Sequence, residues 1–289
     1  MQNIRAIALS IPEQSERNAF EAVVSSKQGK EQRSSILHLL LMFPSASLSF
    51  AEYLSMLPPL HIRRYSISSS PLPDPRSCTL TYGVVNFGPE AGRSEFRVFG
   101  AASNYLAKLK VNDRLLVSLR PGNAHFRLPI DLTATPIILV CAGSGLAPFR
   151  GFVEERATFM KKHPETPLAR CILLIGCRHP EKDALYMQDL NEWEKTGAME
   201  LQYAFSAAPD KSHGCRYVQD RLWKSRESLM LLLLNGGGKM FFCGGAKALE
   251  GVNKSVVQAY AEQTGKSLDE ALIWFRAIRN QQFISDVFN

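Results

Sequence analysis

The sequence predicts an α/β fold in which a doubly wound parallel sheet follows an antiparallel β segment and a helical N-terminal stretch. Three observations carry this expectation. From about Pro136 onward, short apolar runs alternate with amphipathic segments, the pattern of a parallel sheet covered on both faces. The region before it is β-rich and broken by Pro, Gly and Ser clusters such as SSPLPDP, as in an antiparallel barrel or sandwich. Residues 1–60 instead read as helical.

In chain order, SSILHLLLMFP is an apolar run closed by Pro44, and SFAEYLSMLPP is a short amphipathic piece opened by a serine cap. The expected antiparallel strands are HIRRYSIS (61–68), CTLTYGVV (78–85), SEFRVF (94–99) and RLLVSLR (114–120). The expected parallel strands are Ile137–Cys141, Cys171–Gly176, Glu200–Phe205 and Lys239–Cys243. Helices are expected to begin near Ala147, Tyr186, Arg216 and Ala246. The division that follows is a helical part (1–60), a β part (61–133) and an α/β part (134–289). No internal repeat or low-complexity tract is present.

A chain of 289 residues has room for two domains with separate cores. Hydrophobic content of 45% and charged content of 21% are ordinary for a soluble globular protein. No apolar run has the length of a membrane span, and the start lacks a basic region followed by a long apolar stretch. The expected location is cytoplasmic. Six cysteines without C-x-x-C spacing fit a reduced protein, and the scattered histidines suggest no metal. A net charge of +7 favours anionic partners. No basic run interleaved with aromatics accompanies it, so phosphate-rich cofactors or an acidic protein are expected before nucleic acid.

The stretch CAGSGLAPF (141–149) follows the apolar run PIILV. In an α/β sheet, ligands bind beyond the carboxyl ends of the strands. Gly143 and Gly145 there would let backbone N–H groups approach a pyrophosphate. Pro148 stands where the usual dinucleotide fingerprint has its third glycine. It suits the first turn of a helix, where a missing N–H costs nothing. Taken alone, the stretch reads equally as a tight structural turn.

The order of motifs adds to this. RRYS precedes GSGLAPF, and then come GCR (176–178), AFS (204–206), RYVQ (216–219), FFCGG (241–245) and FISDVFN (283–289). From about Ser35 to its end the chain resembles the flavin- and nicotinamide-binding part of the diflavin reductases, the family of NADPH–cytochrome P-450 reductase. It is most similar to the reductase half of self-sufficient monooxygenase fusions. The resemblance implies a ferredoxin-reductase-like flavin barrel, incomplete here, followed by an NADP(H)-binding domain. The FMN-binding domain and barrel strands that the family places upstream are missing from this sequence, so Met1 is read as falling inside the family's helical insertion.

The resemblance implies roles residue by residue. Arg63 would pair with the FAD pyrophosphate, Tyr65 would lie against the isoalloxazine, and Ser66 would reach its reactive edge. Gly100, Ala102 and Ser103, from GAASNYL, would offer further donors to FAD, and Phe288 would stack on the flavin. Gly143, Ser144, Gly145 and Pro148 would form the NADP loop. Arg178, Ser206, Arg216, Tyr217 and Gln219 would hold the adenosine end. Ser66, Cys243 and Asp286 would orient the nicotinamide for hydride transfer. Read without the resemblance, RRYS is a basic aromatic strand, GAAS a capped helix, Cys243 a strand-end thiol and Asp286 a solvated carboxylate.

Three positions depart from the family pattern: Ala207 and Cys215 replace an arginine and a lysine that grip the 2′-phosphate, and Phe288 replaces a tryptophan. NADPH is still expected over NADH, with weaker discrimination. The implied activity is NADPH oxidation with hydride delivery to FAD, then one-electron donation to an FMN domain or a haem monooxygenase, fused or separate. Two alternatives stay open: a truncated remnant that binds NADP(H) without turnover, and a flavoprotein subunit of the sulfite reductase type.

Overall fold

The computed structural model describes residues 2–25, 35–88 and 97–288. The chain forms two compact units, residues 1–64 with 85–106, and residues 65–84 with 107–289.

The first unit opens with helices α1 (Gln2–Ser10), α2 (Gln14–Ser25), α3 (Ile36–Met42) and α4 (Phe50–Met56). Ser35 caps α3 by accepting from the His38 N–H. Ser49 and Glu52 form a reciprocal capping box on α4, which satisfies two otherwise orphaned N–H groups. α3 stops one residue before Phe43, and Pro44 follows. Ile7, Ile11, Phe20, Leu39 and Phe43 are buried together, with Phe20 and Phe43 edge to face at 5.2 Å. Strands β1 (Asn86–Phe87) and β2 (Val98–Phe99) pair antiparallel, and α5 (Ala101–Lys108) begins directly afterwards.

The expected antiparallel strands form only in part. Among the described residues, no regular strand runs over 61–68, 78–85 or 114–120; one bridge joins Ile67 to Leu80. Of SEFRVF, residues 94–96 lie outside the described residues, and Val98–Phe99 is β2. The reason is pairing. β-propensity expresses packing against neighbouring strands, and a short segment without such neighbours stays extended but irregular. Leu116, Val117 and Leu119 accordingly remain exposed.

The second unit is built on a five-stranded sheet: β3 (Ile137–Ala142), β4 (Cys171–Cys177), β5 (Glu200–Phe205), β6 (Lys239–Gly245) and β7 (Phe283–Phe288). Its order is β5-β4-β3-β6-β7, and every pairing is parallel. The connecting helices are α6 (Leu146–Lys162), α7 (Met187–Lys195), α8 (Val218–Lys224), α9 (Arg226–Leu234), α10 (Ala246–Thr264) and α11 (Leu268–Ile278). Four of these strands match their expected positions. The FISDVFN motif forms β7, and α9 and α11 add to the four expected helices.

Continuous apolar strands feed both faces, as a doubly wound sheet requires. Ile138, Val140, Ile172, Leu174, Met240 and Phe242 face a core shared with α8–α11. Ile137, Leu139, Cys141, Leu173, Phe241 and Cys243 face the other, shared with α6 and α7. The order reverses between β3 and β6, because β4 and β5 extend one way from β3 while β6 and β7 extend the other. The crevice at such a reversal is where open α/β sheets bind ligands.

Candidate functional site

The loop after β3 lies at that reversal. Gly143–Gly145 form a 3-10 turn that leads straight into α6. Gly143 has φ +58°, a conformation that side chains resist, and its missing Cβ would face open space. Gly145 is glycine for a different reason: a Cβ there would overlap the carbonyl oxygen of Cys243 on the neighbouring strand end. Gly145 therefore lets the loop after β3 pack against the backbone of β6, while Gly143 at the start of that loop stays exposed. Pro148 is buried in the first turn of α6, where the missing N–H is harmless. This open, N–H-rich turn fits a pyrophosphate.

Cys243 does not end its strand as expected, because β6 continues through Gly244 and Gly245. It is in register with Cys141 on one side and Asp286 on the other. Aligned positions of parallel neighbours project to one face, so Cys243 and Asp286 share the face that carries α6. Burial, reinforced by the Asp286 carboxylate, pushes the Cys243 thiol from its ordinary 9.0 up to about 12. It is a neutral S–H at physiological pH, not a thiolate nucleophile. Asp286 itself is exposed, as is Phe288, which stands in register with Gly245.

At the other end of the site, the strand ends of β4 and β5 are tied together. Ser206 N–H donates to the Cys177 carbonyl at 3.0 Å and Ala207 N–H to the Arg178 carbonyl at 2.8 Å. Phe205 N–H donates to the Cys215 carbonyl at 3.1 Å, which brings the start of α8 alongside. Asp220 accepts from the N–H groups of Arg216 (3.0 Å) and Tyr217 (2.8 Å), holding that start. Arg178, Arg216, Tyr217 and Ala207 are exposed in this region, and Arg178 pairs with Asp183 at 3.1 Å. Gln219 packs against Gly251 of α10. Cys215, at the family's lysine position, is buried and offers no cation.

The residues implied for flavin divide between the units. Arg63 is exposed in the first, and its guanidinium donates to the His61 carbonyl. Gly100 is tightly packed there, since a Cβ would meet Ser103 Oγ at 2.6 Å and Val85 Cβ at 2.7 Å. Ser103 is buried, and its hydroxyl accepts from Val85 N–H at 3.0 Å. Ala102 is half-buried beside it. Tyr65 and Ser66 belong to the second unit; both are half-buried, and Tyr65 lies 5.3 Å from the Tyr82 ring. Among the described residues, no hydrogen bond joins Ser66 to Cys243 or Asp286. Sequence reasoning missed Arg150, Glu154 and Tyr186, which dock the segment after Ser66 onto α6 and the start of α7. The signal was at hand in GSGLAPFRG, an arginine one turn into the helix of the nucleotide loop.

Comparison with known proteins gives two domain matches. Residues 1–105 match the family model of an FAD binding domain, and residues 139–273 that of an oxidoreductase NAD-binding domain. A bifunctional cytochrome P450/NADPH–P450 reductase of Fusarium oxysporum is 42% identical over 277 residues, 94% of this chain and 25% of that protein. One of Acremonium egyptiacum is 41% identical over 89% of this chain and 24% of its own length. A self-sufficient cytochrome P450 monooxygenase of Phanerodontia chrysosporium is 44% identical, again over 89% and 24%. The chain thus spans about a quarter of the length of these relatives. Among the described residues, no helix is long and apolar enough to cross a membrane. With both domain models matched, the chain belongs to the FAD- and NAD-binding oxidoreductases and is homologous to the reductase half of the self-sufficient P450 fusions.

Proposed function

We propose that the chain oxidises NADPH, delivers its hydride to FAD, and passes electrons singly to an FMN-bearing domain or a haem monooxygenase. When bound, NADPH supplies the hydride and FAD converts a two-electron donor into one-electron steps. The observation that carries this reading is the contact between Gly145 and the Cys243 carbonyl. It supports a site where a pyrophosphate on the Gly143–Gly145 turn directs the nicotinamide toward Cys243 and Asp286. Ser144 and Pro148 complete that turn, while Arg178, Ser206, Arg216, Tyr217 and Gln219 receive the adenosine end.

Within this reading Cys243 keeps its proton at Sγ and orients the ring, and Asp286 offers a fixed negative charge to the positive charge that develops on it. Hydride transfer depends on such orientation more than on a strong acid or base. Arg63, Tyr65, Ser66, Gly100, Ala102, Ser103 and Phe288 are proposed for FAD, Arg63 through its guanidinium fork. The domain division proposed with it is a helical connecting remnant (residues 1–60), an incomplete FAD-binding barrel (61–133) and an NADP(H)-binding domain (134–289). The names of the relatives support a P450-type haem partner, and a cytoplasmic location is part of the same proposal. The test is spectral: the chain supplied with FAD should lose its flavin absorbance when NADPH is added without oxygen. A second reading, NADP(H) binding without turnover, is favoured by the exposed Leu116, Val117 and Leu119. A flavin that stays oxidised beside tightly bound NADPH would select it.

A further inference from the structure

Arg150 sits one turn into α6 with its side chain 11% exposed. Its NH1 donates to the Ser68 carbonyl at 2.9 Å and lies 3.4 Å from Glu154 Oε1. Its NH2 reaches Asp189 Oδ2 at 3.2 Å. The guanidinium also lies over the Tyr186 ring, 4.6 Å from its centre, and 5.5 Å from that of Trp193. Its buried Nε has no hydrogen-bond partner, so its hydrogen bonds run through NH1 and NH2.

The same helix holds the other side of the Ser68–Ser70 turn. Glu154 Oε2 accepts the Ser70 N–H at 2.6 Å. Gly151 lets the Ser69 carbonyl come so close that a Cβ would lie 3.2 Å from its oxygen. Ser68 Oγ bonds the hydroxyls of Thr79 (3.0 Å) and Thr81 (2.9 Å), and Thr81 bonds the Tyr186 hydroxyl at 2.8 Å. An i,i+4 ion pair thus grips a carbonyl and an N–H two residues apart, a short step along the chain from Tyr65 and Ser66.

We propose that Arg150 is a positioning residue that fixes the Tyr65–Ser70 segment on the helix of the nucleotide loop, so that Ser66 and Gly143–Gly145 move as one body. The assignment rests on the reading above, in which Ser66 serves the flavin and the loop serves the nucleotide. Hydride transfer is steep in distance, and a displacement near 1 Å costs on the order of a hundredfold in rate. A guanidinium suits the task because its planar fork serves a carbonyl and a carboxylate at once, which an ammonium does not.

The test compares Arg150→Ala and Arg150→Lys with the wild-type chain. Lysine keeps a charge beside Glu154 and Asp189, so it guards against a variant that simply unfolds. In both variants the amides of Ser68, Ser70 and Thr79 should exchange with deuterium about tenfold faster or more, while adenosine 2′,5′-bisphosphate binds as before. With FAD added, single-turnover flavin reduction by NADPH should fall about tenfold or more at unchanged nucleotide affinity. Unchanged exchange in both variants would overturn the proposal, and so would a parallel fall of rate and affinity. If the wild-type chain with FAD is not reduced at all, the functional reading fails, and the exchange experiment still decides whether Arg150 holds the segment.

Discussion

Gly145 and the carbonyl of Cys243 pack so closely that no side chain fits between them. The loop after β3 and the end of β6, separate in sequence, are thereby locked across the reversal point of the sheet. The expected consequence is a sharp asymmetry between the two loop glycines. Gly143→Ala meets open space and suffers only from φ +58°, which costs roughly 1–2 kcal/mol. Gly145→Ala forces backbone apart, an overpacking cost of about 3 kcal/mol or more. Thermal denaturation should show the larger loss for Gly145→Ala, and calorimetric titration with adenosine 2′,5′-bisphosphate should show binding abolished in that variant. Equal effects of the two substitutions would dissolve the proposed loop contact.

Cys243 is expected to act on rate more than on affinity. Its thiol stays protonated because burial and Asp286 raise its pKa to about 12, so it contributes shape and a weak donor, not a nucleophile. Cys243→Ala should slow flavin reduction by about tenfold or more while leaving the nucleotide dissociation constant nearly unchanged, the pattern of an interaction made chiefly in the transition state. Cys243→Ser, which keeps a donor of similar size, should recover part of the rate. Stopped-flow measurement over a range of NADPH concentrations separates the two quantities. An unchanged limiting rate in Cys243→Ala would leave this residue a packing role only.

The buried thiols also set an alkaline limit on stability. Burial raises Cys171 to about 12 and Cys177 to about 11, the latter helped by Asp183. In the unfolded chain a thiol ionises near its ordinary value of 9.0. Between that value and the folded one, the native state keeps a proton that the unfolded state has lost. Their contribution is therefore complete below about pH 9 and is lost as pH rises toward 11 for Cys177 and 12 for Cys171. The slope is about 1.4 kcal/mol per pH unit for the buried Cys171, and it is smaller for the half-buried Cys177, whose charge solvent screens. Urea unfolding between pH 8 and pH 11 (a range of roughly the width that linkage requires) should show falling stability, with a shallower slope in Cys171→Ala. An identical slope in that variant would mean that other groups carry the alkaline transition.

Legibility in the sequence followed the range of the interactions involved. β3, β4 and β6 were legible because a strand buried on both faces must be an apolar run, and Ile137–Cys141, Cys171–Ile175 and Met240–Cys243 are such runs. The antiparallel part was not, because HIRRYSIS has strand composition but pairs only through the Ile67–Leu80 bridge, and RLLVSLR pairs with no strand among the described residues. In β7 the polar pair Ser285–Asp286 interrupts the apolar residues, so FISDVF lacks a continuous apolar run. The nucleotide turn could be read from glycine spacing, but the reason for Gly145 could not, since its partner lies a hundred residues away in the chain by rough count. Arg150 escaped notice because its acceptor is a backbone carbonyl, which any residue at position 68 would provide.

Cofactor preference is expected to be weaker than the matching motifs suggest, and position 207 is where it can be changed. Ala207 is exposed, and its N–H donates to the Arg178 carbonyl, so its backbone is held against residue 178 with room for a longer side chain in solvent. Cys215 cannot replace the missing cation, because it is buried. Arg178 is partly committed to Asp183, which leaves Arg216, its guanidinium exposed at the start of α8, as the remaining positive charge for a 2′-phosphate. A charge-assisted bond contributes about 1.5–3 kcal/mol, or roughly ten- to a hundredfold in affinity. Ala207→Arg should therefore widen the preference for NADPH over NADH by that factor, with NADH affinity little changed. Arg216→Ala should narrow it in the wild-type background. Titration of each variant with both dinucleotides gives the two ratios directly. If Ala207→Arg tightens NADH as much as NADPH, the added guanidinium is meeting the pyrophosphate or the adenine, and position 207 does not face the 2′-phosphate.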